Sequence, residues 1–206
     1  MEQTVEIKSK ININPSRVGK KYYVKTFGCQ MNVHDSEKIA GMFELDGMIK
    51  ANSEENADVL FINTCTIREN ADDKLYGTLG QLKQWKSKQT DRKLLVGGCA
   101  AQKDKTLVRD RAPWVDVVLG THNLTNIINL LNQSEDWGPL TEVVDEIEQM
   151  PTDAPSIRES ESSAWLTIQI GCNNSCTFCI VPSVRGPEIS RRPGDIINEA
   201  KLLVDS

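Results

Sequence analysis

The sequence predicts an α/β fold, with an open and mainly parallel sheet in the amino-terminal domain and the first βα unit of a larger, truncated barrel or sheet after it. Apolar runs rich in β-branched residues are each followed by a segment with helical periodicity, and strands that alternate with helices form parallel sheets with right-handed crossovers. The chain has 206 residues, 39% of them hydrophobic, which is enough for a buried core.

The first predicted strand covers residues 21–29 (KYYVKTFGC), where aromatic and β-branched residues dominate. Asp35 and Ser36 are predicted to cap the next helix, because polar side chains with short stems accept hydrogen bonds from the first helical N–H groups. That helix has apolar residues at the i, i+3 and i+4 positions: Ile39, Met42 and Phe43. Residues 1–20, which precede this strand, are predicted to form a flexible arm.

The second predicted strand, residues 57–65 (ADVLFINTC), is almost continuously apolar, as is typical of a strand covered on both faces. A helix follows within residues 67–88. A third strand over residues 93–99 (KLLVGGC) precedes a shorter helix around Lys103 to Arg111. The helix within 67–88 has one apolar stripe, formed by Leu75, Leu79 and Leu82.

A fourth strand at residues 115–120 and a helix at 124–133 complete a domain predicted to span residues 21–133. Residues 134–163 are acidic and rich in proline, which predicts a linker with a short strand at TEVVDE. Residues 164–206 contain a strand (164–171), a cysteine loop and a helical tail (Gly194 to Val204). Such a unit is too small to bury its own apolar faces, so we expect it to be the start of a larger domain.

Three of the six cysteines, Cys172, Cys176 and Cys179, have the spacing C-x3-C-x2-C in one loop. Thiolates are the soft ligands of iron–sulfur clusters, and a short loop lets three of them bind one cluster while one iron stays open to a small molecule. Phe178 offers an apolar face beside that iron. Structural zinc is the alternative, but zinc sites pair their cysteines as C-x2-C or add histidine, and His34 and His122 are distant in sequence.

The other three cysteines, Cys29, Cys65 and Cys99, each end a predicted parallel strand. Because the carboxyl ends of parallel strands share one edge of the sheet, the three thiols are predicted to meet there. Gly28, Gly97 and Gly98 would allow the backbone to approach a bulky inorganic group. Three independent core cysteines remain the alternative to a second cluster.

The net charge of the chain, its first residues and the length of its apolar runs indicate which classes of protein are excluded. The chain has 29 acidic against 24 basic residues and a net charge of -5, which gives no long-range attraction to nucleic acid. It lacks a secretory signal and an apolar run long enough for a bilayer, so a cytoplasmic protein without membrane contact is predicted. Clustered thiols in such a reducing compartment are more often ligands than disulfides.

Several motifs together resemble the radical S-adenosylmethionine methylthiotransferase family over residues 21–195. CNNSCTFC resembles its radical-cluster signature, and TFGCQMNVHDSE, NTCTIRENADDKLYG and VGGCAAQ resemble its amino-terminal domain. The family's R-G-x-E-x-S-R pattern is matched by Arg185, Gly186, Glu188, Ser190 and Arg191.

This resemblance implies two 4Fe-4S clusters, with Cys172, Cys176 and Cys179 holding the radical cluster and Cys29, Cys65 and Cys99 holding an auxiliary one. It implies S-adenosylmethionine as radical source and methyl donor, and a second domain that is the start of a partial TIM-like barrel. The implied reaction is methylthiolation at C2 of N6-(dimethylallyl)adenosine at position 37 of a tRNA. An electron donor such as flavodoxin or ferredoxin is implied, whereas the sulfur donor is not.

Three alternatives stay open at this point. The first is a sister enzyme that acts on threonylcarbamoyladenosine in tRNA or on an aspartate of a ribosomal protein, and the second is a non-catalytic module that binds an iron–sulfur cluster or zinc. The third concerns Arg185 and Glu188, which either contact substrate or pair with each other on a loop. Because the rest of the barrel is not in the 206 residues, we expect this chain alone to be inactive.

Overall fold

The computed structural model of the chain describes residues 14–67, 70–145, 156–158 and 162–205. Within these residues a sheet of six parallel strands forms the centre of the molecule, with the order β2-β1-β3-β4-β5-β6. The predicted α/β class is therefore confirmed. The strands are β1 (Lys21–Thr26), β2 (Ile49–Lys50), β3 (Val59–Thr64), β4 (Lys93–Gly98), β5 (Val117–Leu119) and β6 (Leu140–Glu142).

Helices cover both faces of this sheet. They are α1 (Gln30–Leu45), α2 (Ala71–Ser87), α3 (Cys99–Asp104), α4 (Leu107–Arg111) and α5 (Ile127–Trp137), with 3-10 turns at Pro15–Arg17, Glu54–Asn56 and Leu124–Asn126. One core packs α1 and α5 against the sheet and the other packs α2, α3 and α4. All six residues of β3 are buried, and Phe61 enters the first core while Leu60 and Ile62 enter the second, because successive side chains of a strand point to opposite faces.

Two helix boundaries differ from the prediction. The predicted capping role of Asp35 and Ser36 is wrong, because α1 already begins at Gln30 and both residues lie inside it. The Ser36 hydroxyl instead accepts hydrogen bonds from Thr26 and Asn63 of the neighbouring strands. The single helix predicted around Lys103 to Arg111 is divided into α3 and α4 by Lys105, whose φ is +49°.

The second part of the chain contains a pair of short antiparallel strands, β7 (Gln169–Ile170) and β8 (Ile189–Ser190). The strand predicted over 164–171 is thus only two residues long. Helix α6 (Val181–Arg185) precedes β8, and α7 (Pro193–Asp205) confirms the predicted helical tail.

The segments predicted as arm and linker contribute to the sheet domain where they are described. Arg17 is fully buried and forms ion pairs with Asp46 (2.6 Å) and Glu135 (2.5 Å). Strand β6 pairs with β5, and Ile157 packs against the core of α1 and α5. Residues 1–13, 146–155 and 159–161 lie outside the described part.

No helix of the described residues has both the length and the apolar character that crossing a membrane requires.

Candidate functional site

The strand order reverses direction between β1 and β3, and this reversal creates a crevice at one edge of the sheet. The chain leaves β1 into α1 on one face, whereas it leaves β3 towards α2 on the other face. Open α/β sheets bind their ligands at such a switch point, outside the carboxyl ends of the strands. Cys29 follows β1, Cys65 follows β3 and Cys99 follows β4, so all three thiols lie at this edge.

Asn32, in the first turn of α1, connects these cysteines and is fully buried. Its Oδ1 lies 3.6 Å from the Cys29 Sγ and 4.0 Å from the Cys99 Sγ. Its Nδ2 donates hydrogen bonds to the carbonyl oxygens of Phe27 (3.0 Å) and Thr64 (2.7 Å). One side chain thus fixes the loops after β1 and β3 and lies against two of the three thiols.

Two glycines allow the cysteine loops to approach closely. Gly28 has φ +125°, and a Cβ there would lie 2.9 Å from the Cys65 Cβ. Gly98 has φ +93°, and its Cβ would lie 2.4 Å from the Asn63 Oδ1. Only glycine adopts such φ values at low cost. At Gly97 a Cβ would meet the Phe61 ring in the core at 2.6 Å, so this glycine makes room for Phe61, and its approach to an inorganic group stays a prediction.

Arg185, at the end of α6, reaches this crevice from the second part of the chain. Its side chain is buried, with Nη2 lying 2.7 Å from the Asp35 Oδ2 and donating to the Asn32 Oδ1 at 3.2 Å. The Asn32 Oδ1 that accepts from Arg185 lies 4.0 Å from the Cys99 Sγ. The suggested pair of Arg185 with Glu188 is wrong: Glu188 is exposed, and its backbone N–H donates to the Asn173 Oδ1.

The electrostatics of the crevice are those of a buried cation beside a buried thiol. Burial raises the pKa of the Cys99 thiol, and the charge of Arg185 acts in the opposite direction. Burial alone would lower the pKa of Arg185, but Asp35 and Cys99 more than offset this and the pKa is raised. Arg185 is therefore charged at any physiological pH.

Soft thiols near a fixed positive charge fit an anionic iron–sulfur cluster. In the described residues, no three cysteine, histidine or carboxylate side chains are placed to hold a single metal ion. A cubane cluster binds each thiolate at a different iron, so its ligands stand farther apart than those of one ion. Cys65 and Cys99 are buried, Cys29 is partly exposed, and all six cysteines are free thiols.

The other three cysteines lie on an open surface loop between β7 and α6. The Cys172 N–H donates to the Gly186 carbonyl (3.1 Å), and the Cys179 N–H donates to the Cys176 carbonyl (3.0 Å). Cys176 is exposed, and Phe178 is 95% exposed. The loop therefore presents Cys176 and the Phe178 ring to solvent, whereas Cys172 and Cys179 are only partly exposed. The roles of these residues as cluster ligands and cofactor neighbour stay predictions.

A cavity of about 260 Å³ lies beside the crevice, between α1 and the segment leading to β7. His34, Lys38, Trp165 and Arg191 are among its lining residues. Neither ring nitrogen of His34 has a hydrogen-bond partner, and burial lowers its pKa to about 4. His122 also lines this cavity, and its Nδ1 lies 3.1 Å from the Val144 carbonyl.

Sequence reasoning missed Asn32, Asp35 and the inward position of Arg185. Asn32 lies one helical turn after Cys29, and that spacing was the available signal, because a residue there lies above the N-terminus of the helix. No sequence signal connects Asp35 with Arg185, since their pairing depends on how α6 docks against α1.

Comparison with known proteins adds an independent result. Residues 21–120 match the model of a family described as uncharacterized protein family UPF0004. A Corynebacterium jeikeium protein named tRNA-2-methylthio-N(6)-dimethylallyladenosine synthase is 50% identical over 206 residues, which is 100% of this chain and 40% of the relative. Proteins with the same name from Corynebacterium efficiens (52% identical over 185 residues, 89% of this chain and 35% of the relative) and Tropheryma whipplei (54% over 184 residues, 89% and 39%) are similar as well. The chain spans about two fifths of the length of these curated relatives.

Proposed function

We infer that this chain, with its UPF0004 domain and its similarity throughout to tRNA-2-methylthio-N(6)-dimethylallyladenosine synthases, corresponds to the amino-terminal, cluster-binding part of a radical S-adenosylmethionine tRNA methylthiotransferase. The substrate is then N6-(dimethylallyl)adenosine at position 37 of a tRNA, modified at C2. The name that these relatives share supports this substrate over that of a sister methylthiotransferase. A tRNA substrate supports a place in the cytoplasm.

The observation that supports this proposal most is the meeting of Cys29, Cys65 and Cys99 at one switch point. Their positions are far apart in sequence, yet Asn32 contacts two of the thiols and Gly28 packs against the third. Unrelated core cysteines would not require a buried asparagine and a buried arginine between them, because polar side chains are costly to bury without a purpose.

Each set of three cysteines would hold one 4Fe-4S cluster. When bound, the two clusters and S-adenosylmethionine supply the radical and sulfur-transfer chemistry, as cofactors do in enzymes of this kind. Cys65 and Cys99 hold their site in a buried, water-poor environment. Cys172, Cys176 and Cys179 hold theirs on an exposed loop, where Phe178 offers a ring to a nucleotide.

The exposed loop also suits the substrate. A base in a single-stranded anticodon loop is accessible without melting a helix, and aromatic side chains stack on such bases. Phe178, with 95% of its surface exposed, is free to stack on S-adenosylmethionine or on the target adenine. The electron donor would be a small redox protein such as flavodoxin or ferredoxin.

Anaerobic reconstitution with iron and sulfide tests the proposal. We expect about eight irons and eight sulfides per chain, as two 4Fe-4S clusters require. Two triple variants each remove one set of ligands: Cys29→Ala/Cys65→Ala/Cys99→Ala and Cys172→Ala/Cys176→Ala/Cys179→Ala. Each variant should keep about four irons and about four sulfides per chain.

Zinc content is measured in the same samples as a control. One or two zinc ions and no sulfide would contradict the proposal and favour a structural zinc module. Equal iron in the wild type and in either triple variant would show that the removed thiols are not ligands.

A further inference from the structure

Arg185 lies in the second part of the chain in sequence, but its side chain packs against the sheet domain of the first part. It follows the loop of Cys172, Cys176 and Cys179 and ends helix α6. Its guanidinium nevertheless lies beside Cys29, Cys65 and Cys99, which we call the first trio: it donates to the Asn32 Oδ1, which lies 4.0 Å from the Cys99 Sγ. Only 6% of the residue is exposed to solvent.

The docking of α6 does not depend on this arginine alone. The Thr121 hydroxyl donates a hydrogen bond to the Val184 carbonyl at 2.6 Å, and Val184 is buried. Gly186 adopts φ +76°, and a Cβ there would lie 3.4 Å from the His122 ring. The backbone of α6 is thus held against the loop after β5, and the Arg185 side chain extends from a fixed position.

A buried cation requires compensation, and the Asp35 carboxylate that supplies it faces Lys38 as well as Arg185. Asp35 provides one negative charge, at 2.7 Å. The same guanidinium also faces Cys99, which is neutral as a free thiol and anionic as a ligand. Charges that are removed from water interact more strongly than charges at the surface. An anionic group bound by Cys99 would therefore be a second negative partner for Arg185.

We propose that Arg185 is a positioning residue for the group bound by Cys29, Cys65 and Cys99, where its charge stabilises the reduced, more negative form of the cluster. This inference rests on the proposed function. The second part of the chain thereby sets the reduction potential of the site in the first part. Arg185 acts through Cys99 and Asn32 and is not itself a catalytic residue.

The test isolates the first site in a chain with Cys172, Cys176 and Cys179 replaced by alanine. In that background, Arg185→Gln, Arg185→Lys and Arg192→Gln are reconstituted anaerobically, and the midpoint potential is measured by dye-mediated titration with spectroscopic detection. Arg192→Gln is the matched control, because it removes the same charge from an exposed neighbour. Circular dichroism checks the fold of each variant.

We expect Arg185→Gln to lower the midpoint potential, so that at the potential where half of the parent clusters are reduced, about tenfold fewer variant clusters are reduced. Arg185→Lys keeps the positive charge, so its midpoint potential should return most of the way to the parent value. Arg192→Gln should match the parent. If Arg185→Gln fails to retain iron and Arg185→Lys retains it, the positive charge is again the required feature.

Two results would overturn the inference while leaving the proposed function intact: equal potentials in the parent and Arg185→Gln, or loss of iron from both the Gln and the Lys variant with the fold unchanged. Failure of the parent to bind iron at the first trio would instead contradict the proposed function, and the inference would fall with it.

Discussion

Single residues with buried charge determine how the amino-terminal segment is attached to the domain. Arg17 is fully buried between Asp46, after α1, and Glu135, on α5, and its Nη2 also donates to the Asn132 Oδ1. Three different parts of the chain thus meet at one guanidinium. Breaking such a pair leaves a buried carboxylate without its partner, which costs more than the pair itself contributes.

Replacing Arg17 should therefore destabilise the fold strongly. We expect Arg17→Met to lower the free energy of unfolding by roughly 3–5 kcal/mol, measured by guanidinium denaturation with circular dichroism. Lys20→Met is the matched control, since Lys20 pairs with a largely exposed Asp91 at 3.7 Å and should change stability by less than about 1 kcal/mol. Similar losses in both variants would show that Arg17 is not a buried anchor.

His34 predicts a specific dependence of stability on pH. Its pKa is about 4 in the folded chain, first because of burial and then because of Lys38, against an ordinary value of 6.5. Between these values the unfolded chain binds a proton that the folded chain does not, so stability falls as the pH drops from 6.5 towards 4. The charged groups that face His34 are Asp35, Glu37, Lys38 and Arg191.

We expect the wild type to lose about 2 kcal/mol more unfolding free energy than His34→Gln when the pH falls from 7.5 to 5. Denaturation curves of both proteins at the two pH values measure this difference, and the variant corrects for the titration of all other groups. Parallel losses would mean that folded His34 binds its proton as readily as the unfolded chain does.

At the scale of the elements, the junction between β4 and α3 depends on one glycine. Gly98 combines φ +93° with a contact that would bring a Cβ within 2.4 Å of the Asn63 Oδ1, whereas Gly80 in α2 has no atom within 4 Å of such a Cβ. Substituting alanine at each position therefore tests backbone strain at Gly98 and helix propensity at Gly80 separately.

We expect Gly98→Ala to destabilise the metal-free protein by at least about 2 kcal/mol, because the backbone region is strained and the neighbour is fixed. Gly80→Ala should stabilise it by about 0.5–1 kcal/mol, because alanine favours the helix. Thermal unfolding of the two variants measures both effects. A neutral Gly98→Ala would show that the strand end tolerates a side chain.

Sequence patterns predicted the long elements well and the short ones poorly. Aromatic and β-branched residues indicated β1, and the nearly continuous apolar run at 57–65 indicated β3, because a strand buried on both faces needs such a run. Strand β2 has only two exposed residues, and its place at the edge of the sheet left no apolar pattern. Asp35 was misread as a cap because its partner, Arg185, is provided by tertiary structure, and no local pattern encodes that contact.

For the molecule as a whole, the alternation of strands and helices already predicted that Cys29, Cys65 and Cys99 share one edge. Parallel topology alone places strand ends together, so this part of the site followed from the order of elements. The reversal of strand order between β1 and β3 could not be predicted, because it depends on β2 pairing outside β1. The approach of α6 to that edge could not be predicted either, because a linker pattern at 134–163 does not indicate how the parts on its two sides pack together.

The crossing of Arg185 into the first part has a consequence for biogenesis. Ribosomes make proteins from the amino end, and domains fold in that order. The sheet and its three thiols are therefore synthesised before their cation, and the crevice passes through a stage without Arg185. Docking of α6 then brings Arg185 against Asn32 and Asp35, so the crevice is completed only after residues 181–185 have been synthesised.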